Sequence, residues 1–342
     1  MMSDKILTKE NLPAFIEELK GEYEVIGPKR SGDMFVFDHI DESEELELDY
    51  PTTRLPPKKI FLPQREPLYE YEKKEGDVVI RDLRERWDKK RVLLGVHPCD
   101  IAGLLCLDKV FGLEYDDPYY WERRNSTVII GITCKEPCEH GFCDAMETGP
   151  DAARGYDLLM TDIGGKYYLR PGSELGEKLL KADYFGEATE DDTRRRDAAI
   201  EGVRRKMKTD LDISGIEGRM KERVDDELWS EYTERCVLCG ACNFVCPTCH
   251  CFTIRDETNF TGTKGRRVRV WDACHFKNFA LIAGGLNFRG KKDSRIKHRI
   301  YDKLYYSKEK YGEFFCVGCG RCATFCPAEI DIKEVARKVQ EA

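Results

Sequence analysis

CVLCGACNFVCPTCHC, residues 236–251, sets six cysteines in sixteen positions with Pro247 directly after the fourth, and CVGCGRCATFCP, residues 316–327, nearly repeats its opening. Each copy has the spacing C-x2-C-x2-C-x3-C-P. A chain of 342 residues can build two or three domains with a hydrophobic core in each, so cysteine staples are not needed for folding. Its first residues, MMSDKILTKENLPAF, lack the charged start, apolar middle and small-residue cleavage site of a signal peptide. No apolar run approaches the ~18 residues of a membrane span. A soluble cytoplasmic protein with no membrane partner is therefore expected. Thiols stay reduced there, and sixteen cysteines point to metal or redox chemistry rather than to disulfides.

The repeated spacing is the one associated with bacterial-type ferredoxin clusters, in which three thiolates from a tight loop hold one cubane and the fourth ligates its neighbour. It predicts two [4Fe-4S] clusters, one on Cys236, Cys239, Cys242 and Cys326, the other on Cys316, Cys319, Cys322 and Cys246. Gly240 and Gly320 are expected to let the backbone bend close to each cluster, where amide N–H groups donate to its sulfurs. Structural zinc usually pairs two separated C-x2-4-C knuckles, a different pattern. Purely structural clusters are the other reading of the same ligands, but two adjacent clusters make better sense as an electron relay. Cys249, Cys251 and Cys274 are surplus to these eight, and buried thiols packing near the clusters are their simpler reading. His250 and His275 either donate hydrogen bonds near a cluster or pack.

Outward from the repeats, an α+β chain is expected in three parts. Residues 1–175 mix β-rich runs (VVIRDL, RVLLGV, STVIIGIT) with turns, and LLMTDIGGKYYLRP carries a hairpin signal at its two glycines, so a mixed α/β domain is predicted. Residues 176–230 form a charged helical bridge: Ile200, Val203, Met207 and Leu211 recur at helical spacing, then Ile216, Met220, Val224 and Leu228, with Ser214 and Glu217 as a capping box. Residues 231–342 are read as a mainly α-helical dicluster domain. Within it GRRVRVW is extended, Ile296, Ile300 and Leu304 share a helix face, and Asp331 and Glu334 cap a terminal helix.

Cys99, Cys134, Cys138 and Cys143 are placed on two loops that follow predicted strands, enough for a third cluster, although C-x3-C-x4-C matches no common template. Cys106 reads as a core position on a helix. No G-x-G-x-x-G or G-x4-G-K-[ST] loop is present, so neither an NAD nor an ATP site is recognised, and no catalytic residue is assigned. The formal charge of −8, without a basic stripe interleaved with aromatics, gives no support to a nucleic-acid partner. Arg266, Arg267 and Arg269 either dock an acidic partner or form a solvated surface.

LPPKKIFLPQREPLY, GVHPCDIAGLLCLDKVF, FCDAMETGP, the first cysteine phrase through FTIRDE, WDACHFKNFALIAGGLNFR, and YGEFFCVGCGRCATFCPAEIDI together resemble one iron–sulfur family. It is shared by anaerobic sulfite reductases, where it forms the A component, and by soluble sulfhydrogenases, where it forms the beta component. The resemblance runs from about residue 55 to 332. It implies an electron-transfer subunit placed between a flavin and NAD(P)H-binding partner and a catalytic hydrogenase or sulfite-reducing partner. It also implies cluster ligands at Cys99, Cys134 and Cys143. Relatives often read C-F-C where this chain has Gly141, Phe142 and Cys143, and glycine where it has Cys138. The competing reading is an iron–sulfur enzyme in its own right, with a substrate or flavin pocket in the N-terminal domain.

Overall fold

The computed structural model describes residues 3–84, 90–207, 209–225 and 227–341. Its centre is an eight-stranded mixed sheet. The strands are β1 (Lys5–Thr8), β2 (Tyr23–Ser31), β3 (Met34–His39), β6 (Lys90–Val96), β7 (Thr127–Ile132), β8 (Leu158–Asp162), β9 (Lys166–Pro171) and β10 (Gly186–Glu187). Across the sheet their order is β10-β1-β9-β8-β7-β6-β2-β3. The middle of the sheet is parallel, β2 to β6 to β7 to β8, and its flanks are antiparallel. Strands buried on both faces read as continuous apolar runs, and β7 (TVIIGI) is buried throughout.

The two-residue period sorts those runs onto two cores. Val92, Leu94, Val128, Ile130, Leu158 and Met160 meet Phe15, Ile16 and Leu19 of helix Leu12–Glu22 on one face. Leu93, Ile129 and Leu159 meet Ile101, Leu104 and Phe111 of helix Pro98–Gly112 on the other. The hairpin signal at 164–165 is realised between β8 and β9, with Gly164 at φ +105 where a side chain would be strained.

GRRVRVW is a strand, β12 (Lys264–Trp271). It pairs with β11 (Phe252–Thr258) and also with β4 (Arg65–Lys74), which continues to β5 (Asp77–Asp82). This four-stranded antiparallel sheet joins chain segments that lie far apart in sequence.

A third core gathers the helices around the cysteine phrases: Ile216, Met220, Trp229, Ile296, Ile300, Leu304, Val335 and Val339. The expected helix face of Ile296, Ile300 and Leu304 is thus buried. Asp331 accepts from the Lys333 amide at 2.8 Å at the start of helix Ile332–Glu341. The bridge differs from expectation in three details, the first being that its opening helix, Glu190–Lys206, ends before Met207 and Leu211. Its second helical run is split into Ile216–Glu222 and Leu228–Arg235, leaving Val224 exposed. The first of these starts at Gly215, in the left-handed region at φ +70, rather than on a Ser214 cap.

Candidate metal centres

Each cysteine phrase is a tight loop that opens into one turn of helix, Ala241–Phe244 in the first and Arg321–Thr324 in the second. The turn is made by Gly240 at φ +76 and Gly320 at φ +74. Both glycines are also pressed close: a Cβ on Gly240 would lie 3.0 Å from the Phe276 ring, and one on Gly320 would lie 2.6 Å from the His140 backbone.

Cys236, Cys239 and Cys242 of the first phrase and Cys326 of the second line one cavity of about 60 Å³. Cys316, Cys319 and Cys322 of the second phrase and Cys246 of the first line another, of about 20 Å³. The two rings are therefore crossed, each borrowing one thiol from the other loop. Cys322 and Arg299 line both cavities, so the rings share a wall. Backbone amides point at sulfurs in the way a cluster needs: Leu238 N to Cys236 Sγ at 3.4 Å and Ile330 N to Cys326 Sγ at 3.3 Å.

The electrostatics of the rings are unbalanced without an anion. Burial pushes the thiols of Cys242 and Cys316 up to about 12 and that of Cys319 up to about 11. A hydrogen bond with Cys249, with Arg299, Lys303 and Lys58 nearby, holds the Cys246 thiol well below its usual range against the effect of burial. Arg299 is 5% exposed; its Nη2 donates to the Cys242 carbonyl at 3.0 Å, while Nη1 is buried without a hydrogen-bond partner among the described residues. Lys303, 1% exposed, has Asp302 at 2.9 Å. Buried cations need compensating charge, and iron is what turns such buried thiols into thiolates. The residues present thus fit anionic iron–sulfur clusters.

The N-terminal cysteines come together as well. Cys99 and Cys134 follow β6 and β7, neighbouring parallel strands, at the carboxyl edge where open α/β sheets place their ligands. Cys99 was expected on a loop, but Pro98 starts a helix immediately after His97 and puts it in the first turn. Burial raises the thiols of Cys99 and Cys134. Cys143 and Cys138 add to the effect on Cys134, while Asp100, Cys319 and Cys143 add to that on Cys99. The set therefore lies beside the second ring. Its loop is bonded to the second phrase, Phe142 N to Gly318 O at 2.7 Å and Thr148 Oγ1 to Val317 O at 2.7 Å. Cys138 Sγ also lies 3.2 Å from the Pro51 carbonyl. Cys106 is a core residue packed with Phe315 and Val317.

The three arginines offered for docking are occupied within the chain. Arg266 pairs with Glu70 at 2.7 Å, Arg267 grips Asp256 through two bonds of 2.9 Å, and Arg269 is 2% exposed, held by Glu66 and Asp117. β12 sits inside its sheet, so its charges face neighbouring strands. His275 Nδ1 lies 3.6 Å from Cys242 Sγ, and His250 Nδ1 is bonded to the Thr248 carbonyl at 3.1 Å. Sequence reasoning missed Arg299, Lys303 and Lys58. Nothing in their local patterns marks them, because their importance comes from burial beside thiols.

A helical loop pair with crossed cysteine rings, docked against an α/β sheet, defines a ferredoxin-type iron–sulfur protein. Residues 235–330 match the family described as 4Fe-4S dicluster domain. Over 337 residues, 98% of both chains, the sequence is 36% identical to "Sulfhydrogenase 2 subunit beta" of Pyrococcus furiosus. Over 114 residues, 33% of this chain and 22% of the relative, it is 24% identical to "F420-dependent formate dehydrogenase subunit beta" of Methanocaldococcus jannaschii. No solved structure matches. The chain belongs to the sulfhydrogenase beta-subunit family and is an iron–sulfur electron-transfer subunit. Among the described residues no helix is long and apolar enough to cross a membrane.

Proposed function

We propose that the chain is the electron relay of a cytoplasmic multi-subunit oxidoreductase, standing between a flavin and NAD(P)H-binding partner and a catalytic partner of hydrogenase or sulfite-reducing type. The crossed rings with their shared wall carry this reading. Cys236, Cys239, Cys242 and Cys326 are the ligands of one [4Fe-4S] cluster, and Cys316, Cys319, Cys322 and Cys246 those of a second. Cys99, Cys134, Cys138 and Cys143 are the ligands of a third. Clusters bound there supply one-electron carriers.

The protein's own part is placement and charge. Cys239 is exposed, so the first ring has an edge at the surface, while Cys246 is buried and the N-terminal set lies beyond Cys319. The order is then surface, first ring, second ring, N-terminal set. Arg299 and Lys303 hold positive charge where an added electron resides, and the Leu238 and Ile330 amides stabilise the ligand sulfurs. A cavity of about 730 Å³ does not favour a flavin: six carboxylates (Asp144, Glu147, Asp151, Asp212, Glu217 and Glu313) against two cations (Arg154 and Lys308) line it, a net negative wall that disfavours a phosphate-bearing ligand.

The test is an anaerobic redox titration of the purified chain followed by EPR. Cys236→Ser and Cys326→Ser should abolish the same component, and Cys246→Ser and Cys316→Ser a different one. Loss of separate components within either pair would refute the crossed ligation. The wild type should exchange electrons with dyes yet turn over no hydrogen, sulfite or NAD(P)H; turnover by the isolated chain would sink the relay reading.

A further inference from the structure

The three surplus cysteines are brought together by the β11–β12 hairpin. Cys249 and Cys251 precede β11, Cys274 follows β12, and the pairing of Phe252 with Trp271 and the bond from Asp272 N to Cys251 O, 3.0 Å, close the hairpin at that end. All three line one cavity of about 260 Å³, larger than that of either ferredoxin-type ring. Its walls also carry His250, His298 and Asp302.

The surroundings are built for sulfur ligands that carry charge. Asn243, 2% exposed, directs its Nδ2 to Cys274 Sγ at 3.0 Å and lies 3.8 Å from Cys249 Sγ. Lys58, 2% exposed, donates to the Cys249 carbonyl at 2.8 Å and lies 4.4 Å over the Trp271 ring; among the described residues no carboxylate pairs with it. Lys58 also lies near Cys246 of the second ring, so its charge is shared between that ring and this cavity.

We propose that Cys249, Cys251 and Cys274 hold an additional iron–sulfur cluster, with a non-thiol donor at its fourth corner drawn from His250, His298 or Asp302. That corner would give the cluster one iron with an exchangeable ligand. The proposal needs the chain to be an iron–sulfur protein, but it does not need the ligand assignments of the two ferredoxin-type rings.

The test is iron and acid-labile sulfide analysis of the anaerobically reconstituted full chain, wild type against Cys274→Ser, Cys251→Ser and Cys106→Ser. The first two should each lose one cluster, up to about four iron and four sulfide per chain. They should also retain the EPR components that Cys236→Ser and Cys316→Ser remove. Cys106→Ser, a core substitution, should keep the wild-type count. Wild-type iron in both cysteine variants, or a Cys251–Cys274 disulfide in the anaerobic protein, would overturn the proposal. Should the variants not fold, anomalous scattering at the iron edge from wild-type crystals decides: iron between these three sulfurs supports the site, and its absence there refutes it.

Discussion

Arg321 donates from Nη1 and Nη2 to the two oxygens of Asp100, each bond 2.7 Å, and both residues are 1% exposed. Arg321 lies between Cys319 and Cys322, and Asp100 follows Cys99. Arg321 also donates from Nε to the Thr53 carbonyl at 2.8 Å. One buried ion pair thus fixes the second cysteine phrase against the carboxyl edge of the large sheet, and with it the spacing between the second ring and the N-terminal thiols.

Removing one partner of a buried pair leaves the other charge uncompensated, at a cost of about 3–5 kcal/mol. Asp100→Ala should lower the unfolding free energy of the anaerobic holoprotein, read from urea unfolding, by that amount. Asp100→Ala with Arg321→Met should cost clearly less than the sum of the single changes, since neither charge is then left alone. Additive losses would mean that the two side chains act independently.

Arg299 forms part of both ring cavities, so its charge is felt by both proposed clusters. A buried unit charge about 4 Å away, at an effective dielectric near 20, contributes on the order of 4 kcal/mol to holding an added electron. For a one-electron couple this is on the order of 170 mV. Arg299→Met should lower the midpoint potentials of two EPR components by that much, with iron content unchanged. A shift in one component only would place Arg299 on one ring, and no shift would remove it from the tuning of either.

Cys138 is the discriminating residue of the N-terminal set. Its thiol lies 3.2 Å from the Pro51 carbonyl, but it also acts on Cys134 and Cys143. If it is the fourth ligand, Cys138→Ser should remove the same EPR component as Cys134→Ser and Cys143→Ser, with loss of up to about four iron per chain. Retention of that component in Cys138→Ser alone would leave a three-thiol site.

The legible parts of this chain are those where one local pattern has one physical cause. The spacing of the two cysteine phrases and the glycines that turn them needed no tertiary information, and the apolar runs of β6 and β7 reported a sheet covered on both faces. The pairing of β12 with β4 was not legible, because strand partners distant in sequence leave no local trace. For the same reason Arg269, which looked like surface charge, is buried: its partners Glu66 and Asp117 come from other segments. The grouping of Cys249 and Cys251 with Cys274 depends on that same hairpin, so surplus thiols could be counted in the sequence but not assembled.

The segment leaving the first ring is unusually apolar for a surface. Phe276 packs on Phe244 of the first phrase, and the chain then exposes Leu281, Ile282, Leu286 and Phe288, the last at 69%. The turn is held by Asn287 Nδ2 to Lys277 O at 2.5 Å and Ile282 N to Leu286 O at 3.0 Å, so these side chains are presented by an ordered loop. Clustered exposed apolar residues mark interaction surfaces, and this one adjoins the ring whose Cys239 is exposed. A partner protein that exchanges electrons with the first ring would bury it. Leu286→Glu with Phe288→Glu should then weaken that partner's binding by tenfold or more, about 1.4 kcal/mol, with iron content and EPR components as in the wild type. Unchanged affinity in a titration of the two purified proteins would move the docking surface elsewhere. Lost iron would instead show that the loop shields the first ring.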